Sequence, residues 1–184
     1  MYSKKYLLIL ISLIMISFFK KVDAKYEKTF FDLNIKSINN ETIYLSEFKG
    51  KTILLVNVAS KCGFTKQYTA LQTLYDNYKG KNFLVIAVPS NQFGNQEPGS
   101  NKEIKNFCET NFNISFPITD KVDVKGKNAH NLYKWAKENF GNSTVPKWNF
   151  HKILINKEGK IQDTFNSFTD PLSDKIIKQI EQVL

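Results

Sequence analysis

Two short apolar runs frame the chain: Thr52-Ile-Leu-Leu-Val-Asn-Val58 and Phe83-Leu-Val-Ile-Ala-Val88. They are rich in β-branched residues and show no in-and-out alternation, the signature of strands covered on both faces. Between them Leu71, Leu74, Tyr75 and Tyr78 recur at i, i+3, i+4 and i+7, which predicts an amphipathic helix, with Gly80 suited to its end. Strand, helix and strand in this order make a βαβ unit whose strands run parallel.

A second helix is predicted after Ser100, because Ser100 and Glu103 have capping-box spacing; it carries Ile104, Phe107 and Cys108. A third covers about Ala129 to Phe140, with Leu132, Tyr133 and Ala136 inward. Lys152-Ile-Leu-Ile155, the turn Asn156-Lys-Glu-Gly159 and Lys160 to Phe165 read as a hairpin. The last helix follows Asp170-Pro171 and is expected to bury Leu172, Ile176, Ile177, Ile180 and Leu184. Two parallel strands, then a hairpin, with helices between and after, is the order of an α/β, thioredoxin-like layered fold with a central mixed β-sheet flanked by helices.

The N-terminus has a different pattern. Lys4 and Lys5 precede the apolar run Leu7 to Phe19, and Val22-Asp23-Ala24 places small residues where a signal peptidase cuts. The run is shorter than the ~20 residues needed to span a membrane. Residues 1–24 therefore read as a signal or targeting segment and residues 25–184 as a single domain without repeats or linkers. The literal destination is the secretory route, meaning secretion, the endoplasmic reticulum or a plastid-like organelle; mitochondrial and cytosolic forms stay open.

Charge excludes more than it suggests. All 26 basic residues are lysines, against 17 acids, and they are scattered rather than gathered with aromatics on one face, so nucleic acid is not an expected partner. The absence of arginine matters more, because arginine grips carboxylates in a fixed two-pronged geometry. A small anionic cosubstrate would have to be held by lysine alone. His130 and His151 stand apart from the cysteines and read as satisfied structural histidines; neither a metal site nor a dissociable cofactor is expected.

Two cysteines, Cys62 and Cys108, allow two readings. In a secreted chain they would form one structural disulfide. Cys62, however, lies four residues beyond the first apolar strand and just before a helix, where partial positive charge favours thiolate over thiol. Lowering a cysteine pKa by two units from ~8.5 stabilises the anion by about 2.7 kcal/mol, whereas one helix terminus supplies roughly 0.3–1 kcal/mol. Other donors are needed. The sequence Cys62-Gly-Phe-Thr65 lacks the second cysteine of a dithiol oxidoreductase, but a lone cysteine can attack an O–O bond and become a sulfenic acid. The proline-containing peroxiredoxin pattern is missing, since the first proline is Pro89.

Asn57-Val-Ala-Ser-Lys-Cys62-Gly-Phe-Thr65 resembles the active-site signature of glutathione peroxidases, in the version with cysteine in place of selenocysteine. Ala87-Val-Pro-Ser-Asn-Gln-Phe-Gly-Asn-Gln96-Glu-Pro-Gly99 is similar to that family's second signature, and Lys147-Trp148-Asn149-Phe150-His151-Lys152 to its third. The resemblance covers about residues 26–184; Val88 and Ser90 depart from it, standing where phenylalanine and cysteine are commoner. It implies that Cys62 is the peroxidatic residue and that Gln96, Trp148 and Asn149 complete a catalytic tetrad. An amide and an indole N–H are donors that do not titrate near neutral pH.

The position of Cys108 resembles the resolving cysteine of the thioredoxin-dependent members. The implied cycle runs from Cys62 sulfenic acid to a Cys62–Cys108 disulfide, reduced by thioredoxin more than by glutathione, with hydrogen peroxide and organic or lipid hydroperoxides as substrates. A disulfide needs Cα atoms within ~7 Å, so the capped helix carrying Cys108 is expected to unwind during turnover. The short stretch between Asn139 and Trp148 resembles forms lacking the oligomerisation loop, implying a monomer with an open site, and the lysine surplus suggests contact with anionic membrane surfaces. The competing readings are a peroxide sensor using the same cysteines and a secreted binding domain with one structural disulfide.

Overall fold

The computed structural model describes residues 26–184; the predicted leader lies outside them. A short hairpin of β1 (Asn34–Lys36) and β2 (Thr42–Tyr44) precedes the core. Then come β3 (Thr52–Val58), α1 (Gln67–Tyr78), β4 (Phe83–Pro89), α2 (Asn101–Phe112), α3 (Asn131–Phe140), β5 (Lys152–Ile155), β6 (Ile161–Phe165) and α4 (Asp174–Glu181). The main sheet has the order β4-β3-β5-β6. β3 and β4 run parallel, with Leu54 opposite Val85, while β5 is antiparallel to β3, and β6 to β5. The initial hairpin was not foreseen: its strands have three residues each, too few for a periodic signal.

All seven residues of β3 and all seven of β4 are buried, because helices cover both faces. Alternation along the strands divides the core in two. Leu54, Val56 and Val58 join Val85 and Ala87 beneath α1, α2 and α4. Ile53, Leu55, Ile86 and Val88 face α3 and the N-terminal aromatics Phe30 and Phe31. Each Val, Leu, Ile or Phe side chain withdrawn from water contributes about 1.5–3 kcal/mol against leaving it exposed. Cys62 and Cys108 both belong to the first of these halves. The free side of β4 is covered by a single bridge, Ala87 with Ile118, and the covering segment is bridged in turn through Thr119 to Ser37, which shields an edge that would otherwise pair with other chains.

The capping box forms as read: the Ser100 hydroxyl accepts from the Glu103 N–H, and the Glu103 carboxylate accepts from the Ser100 N–H at 2.7 Å. Three helix ends differ from expectation. α1 stops at Tyr78, and the left-handed residue that turns the chain is Asn82 (φ 57°), not Gly80. α3 begins at Asn131, because His130 serves as its N-cap and accepts from the Leu132 N–H at 3.3 Å. α4 begins only at Asp174: the Asp170 side chain accepts from Leu172 N–H and holds residues 170–173 in a turn, leaving Leu172 exposed and Ile177 and Leu184 only partly covered. Gly159, at φ 75°, closes the β5–β6 turn where a Cβ would lie 2.7 Å from the Phe31 ring.

Candidate active site

Where β3 ends, the chain enters a loop fastened by one threonine. The Thr65 hydroxyl accepts from the Cys62 N–H (3.0 Å) and donates to the Ala59 carbonyl (2.9 Å), while the Thr65 N–H donates to the Cys62 carbonyl. Cys62 is thereby held nearly buried at 9% exposure, and the Phe64 N–H donates to its sulfur at 3.4 Å. The helix proper starts at Gln67, five residues later, through a stack of tight i→i+3 turns. The sulfur therefore meets the amide of a turn rather than the first amides of a helix.

The second segment crosses this loop. The Lys61 N–H donates to the Gln96 carbonyl at 3.0 Å, and the Ser60 hydroxyl to the Glu97 carboxylate at 3.1 Å. Glu97 is 1% exposed and burial raises its pKa. Gly94 and Asn95 both adopt left-handed backbone (φ 63° and 54°), a turn that a short polar side chain tolerates. Ser90, also in this segment, is fully buried and its hydroxyl has no partner.

The third segment is laced to the end of β3 by Asn57. Its side-chain amide donates to the Trp148 carbonyl (3.1 Å), its side-chain oxygen accepts from His151 N–H (3.1 Å), and its backbone carbonyl accepts from Phe150 N–H (2.6 Å). Asn149 is thus fully buried and donates through Nδ2 to Gln96 Oε1 at 3.0 Å. Trp148 stays 40% exposed and packs against Phe93, ring centroids 5.9 Å apart. Gln96 and Asn149 meet directly, and the Cys62 loop is bonded to the backbone of Gln96.

Cys108 points into the core from α2 with no exposure, and burial pushes its thiol up to about 11, opposed by the neighbouring Tyr68 hydroxyl. Both cysteines are free. Between the Cys62 loop and α2 lies a cavity of about 370 Å³ bounded by Lys61, Glu97, Ile104 and Phe107. His151 is buried, burial draws it down to about 4, and its Nε2 has no partner. Among the described residues, no three His, Cys, Asp or Glu side chains gather as metal ligands.

Sequence reasoning missed Asn57, Lys152 and Glu97 as parts of this construction. Asn57 and Lys152 had a visible signal: each is a polar residue in a strand that is otherwise apolar.

A nearly buried cysteine in the loop after a central strand, with a bonded glutamine–asparagine amide pair beside that loop, fits a thiol-based oxidoreductase of thioredoxin-like fold. The glutathione peroxidase family model matches residues 30–137. The chain belongs to the glutathione peroxidase family and is a peroxidase acting on hydroperoxides. It is similar to the glutathione peroxidase-like peroxiredoxin 2 of Saccharomyces cerevisiae, 44% identical over 149 residues covering 79% of this chain and 91% of that protein. The hydroperoxy fatty acid reductase of Synechocystis is 40% identical over 88% of this chain and 99% of its own. The crystal structure of T. cruzi GPX1 superposes with a TM-score of 0.66 at 33% identity, covering 85% of this chain and 96% of that one. A thioredoxin-family thiol:disulfide interchange protein from Chlorobium tepidum, at 10% identity and TM-score 0.61, shares the fold alone.

Proposed function

We propose that Cys62 is the attacking thiolate for hydrogen peroxide and for organic and lipid hydroperoxides, with Gln96, Trp148 and Asn149 as the donors around it and Cys108 as the resolving cysteine. An S–O bond forms as the O–O bond breaks, Cys62 becomes a sulfenic acid, and the alcohol or water leaves with a proton. The Cys108 sulfur then bonds to Cys62, and the sulfenic oxygen departs as water. An outside dithiol restores both thiols. The observation that carries this reading is the Asn149–Gln96 bond beside the loop that presents Cys62.

A thioredoxin-type reductant is favoured over glutathione by the absence of arginine to receive the carboxylates of glutathione. Matching relatives in yeasts bear the name peroxiredoxin. Lipid hydroperoxides as substrates fit the Synechocystis relative, named a hydroperoxy fatty acid reductase. Residues 1–24 act as the targeting segment and residues 25–184 as the working domain, a monomer whose lysines draw it to anionic membranes. The destination is the secretory route or an organelle; matching Arabidopsis thaliana proteins are named chloroplastic and mitochondrial.

The test is a steady-state assay of residues 25–184 with thioredoxin and glutathione in parallel, across hydrogen peroxide and lipid hydroperoxides. Expected are faster turnover with thioredoxin, no activity in Cys62→Ser, and a single turnover without cycling in Cys108→Ser. Efficient cycling of Cys108→Ser with thioredoxin would remove Cys108 from the mechanism.

A further inference from the structure

We propose that Lys152 is a positioning residue of the peroxidase site, its buried side chain fixing Asn149 against Gln96 by holding the Phe150 carbonyl and the first residue of α1. The inference rests on the reading of Cys62, Gln96 and Asn149 given above.

Lys152 opens β5 and has no solvent exposure. Alternation along the strand sends Ile153 and Ile155 to the α3 side and Leu154 to the α1 side, and Lys152 shares the latter direction. Its Nζ donates to Gln67 Oε1 at 2.6 Å, to the Thr169 carbonyl at 2.7 Å and to the Phe150 carbonyl at 2.9 Å. An ammonium group has three N–H donors and no acceptor, so each donor has one oxygen. Among the described residues no carboxylate lies within ion-pairing distance of it. Burial draws its pKa down to about 7, with Asp170 opposing. A methionine of similar length would fill this space without desolvating a charge, so packing alone does not explain an amine here.

What the amine holds does explain it. Phe150 sits at φ 64°, a region that disfavours bulky side chains. Its N–H is taken by Asn57 and its carbonyl by Lys152. The peptide units on either side of Asn149 are therefore pinned, at the Trp148 carbonyl and at Phe150. On the other side, Gln67 accepts from Lys152 at Oε1 and donates through Nε2 to the Ser167 carbonyl at 2.7 Å. Its N–H donates to the Phe64 carbonyl, and the Phe64 N–H in turn contacts the Cys62 sulfur. One amine thus links the Asn149 segment to the turns that present Cys62.

The experiment is a double-mutant cycle of Lys152→Met with Asn149→Ala, on protein shown to be folded by near-ultraviolet circular dichroism. It reads the second-order rate of hydroperoxide with reduced enzyme and the NMR resonance of the Asn149 side-chain amide. Expected are a loss of at least tenfold in Lys152→Met, a shifted Asn149 amide resonance, and a double variant no slower than Asn149→Ala alone. If Lys152→Met does not fold, Gln67→Met, which removes one of the three acceptors, is expected to give a smaller loss that is likewise absent in the Asn149→Ala background. A rate within twofold of the unmodified enzyme in the folded variant, or losses that multiply in the double variant, would overturn the proposal. If instead the unmodified enzyme consumes no hydroperoxide, or Cys62→Ser still does, the underlying assignment of the site fails first.

Discussion

The side-chain amide of Asn149 donates to Gln96 Oε1 at 3.0 Å, joining residues 53 apart in the sequence. This contact assigns the two ends of Gln96: the oxygen is engaged, and the NH₂ group remains available as a donor.

Removing either partner should therefore weaken donation to the reacting oxygen rather than the fold alone. Gln96→Ala and Asn149→Ala are each expected to slow reduced enzyme about 10²-fold toward hydroperoxide, the scale of one preorganised donor. Stopped-flow oxidation of the thiol measures it, and unchanged rates in folded variants would exclude both residues.

Cys108 should be chemically silent until its helix opens. With a thiol near 11 and no exposure, it is protonated at pH 7–8. In Cys62→Ser, alkylation by iodoacetamide is expected to be slow there and to accelerate as the pH approaches 11. The same raised value means that the folded state keeps its proton between about 9 and 11 while the unfolded chain loses it. Stability is then full below 9 and falls through that window, by at most about 3 kcal/mol.

If Cys108 resolves the Cys62 sulfenic acid as proposed, α2 is expected to give up its first contacts for the disulfide to form. Ser100→Ala removes the cap that holds this helix, which is expected to cost about 1 kcal/mol of stability. Yet the Cys62–Cys108 disulfide should form faster after peroxide is added. Slower disulfide formation in the folded variant would count against local unwinding.

His151 gives an acid limit. Burial, reinforced by Lys152, lowers it to about 4, so between pH 6.5 and 4 the unfolded chain takes up a proton that the native protein refuses. Stability is expected to fall across that window as the pH drops, by at most about 3 kcal/mol. Urea titrations at successive pH values check it, and His151→Gln should flatten the dependence.

Much of this molecule was legible along the chain because the signals are local. A short apolar run rich in β-branched residues reads as a covered strand, Leu71 to Tyr78 has a helical period, and Ser100 with Glu103 caps a helix using neighbours three residues apart. Helix ends were read less well, because the Asp170 turn and the left-handed Asn82 compete with periodicity within a few residues. The cysteine loop and the three segments of the site could be picked out by their residues and order. Their arrangement could not. The pairing of Asn149 with Gln96, the lacing by Asn57, and the inward turn of Lys152 onto three carbonyl oxygens depend on β3, β4 and β5 lying side by side. Hydrogen bonds between residues 53 to 94 positions apart leave no periodic trace in the chain; they exist only once burial of the two core halves has brought the strand ends together.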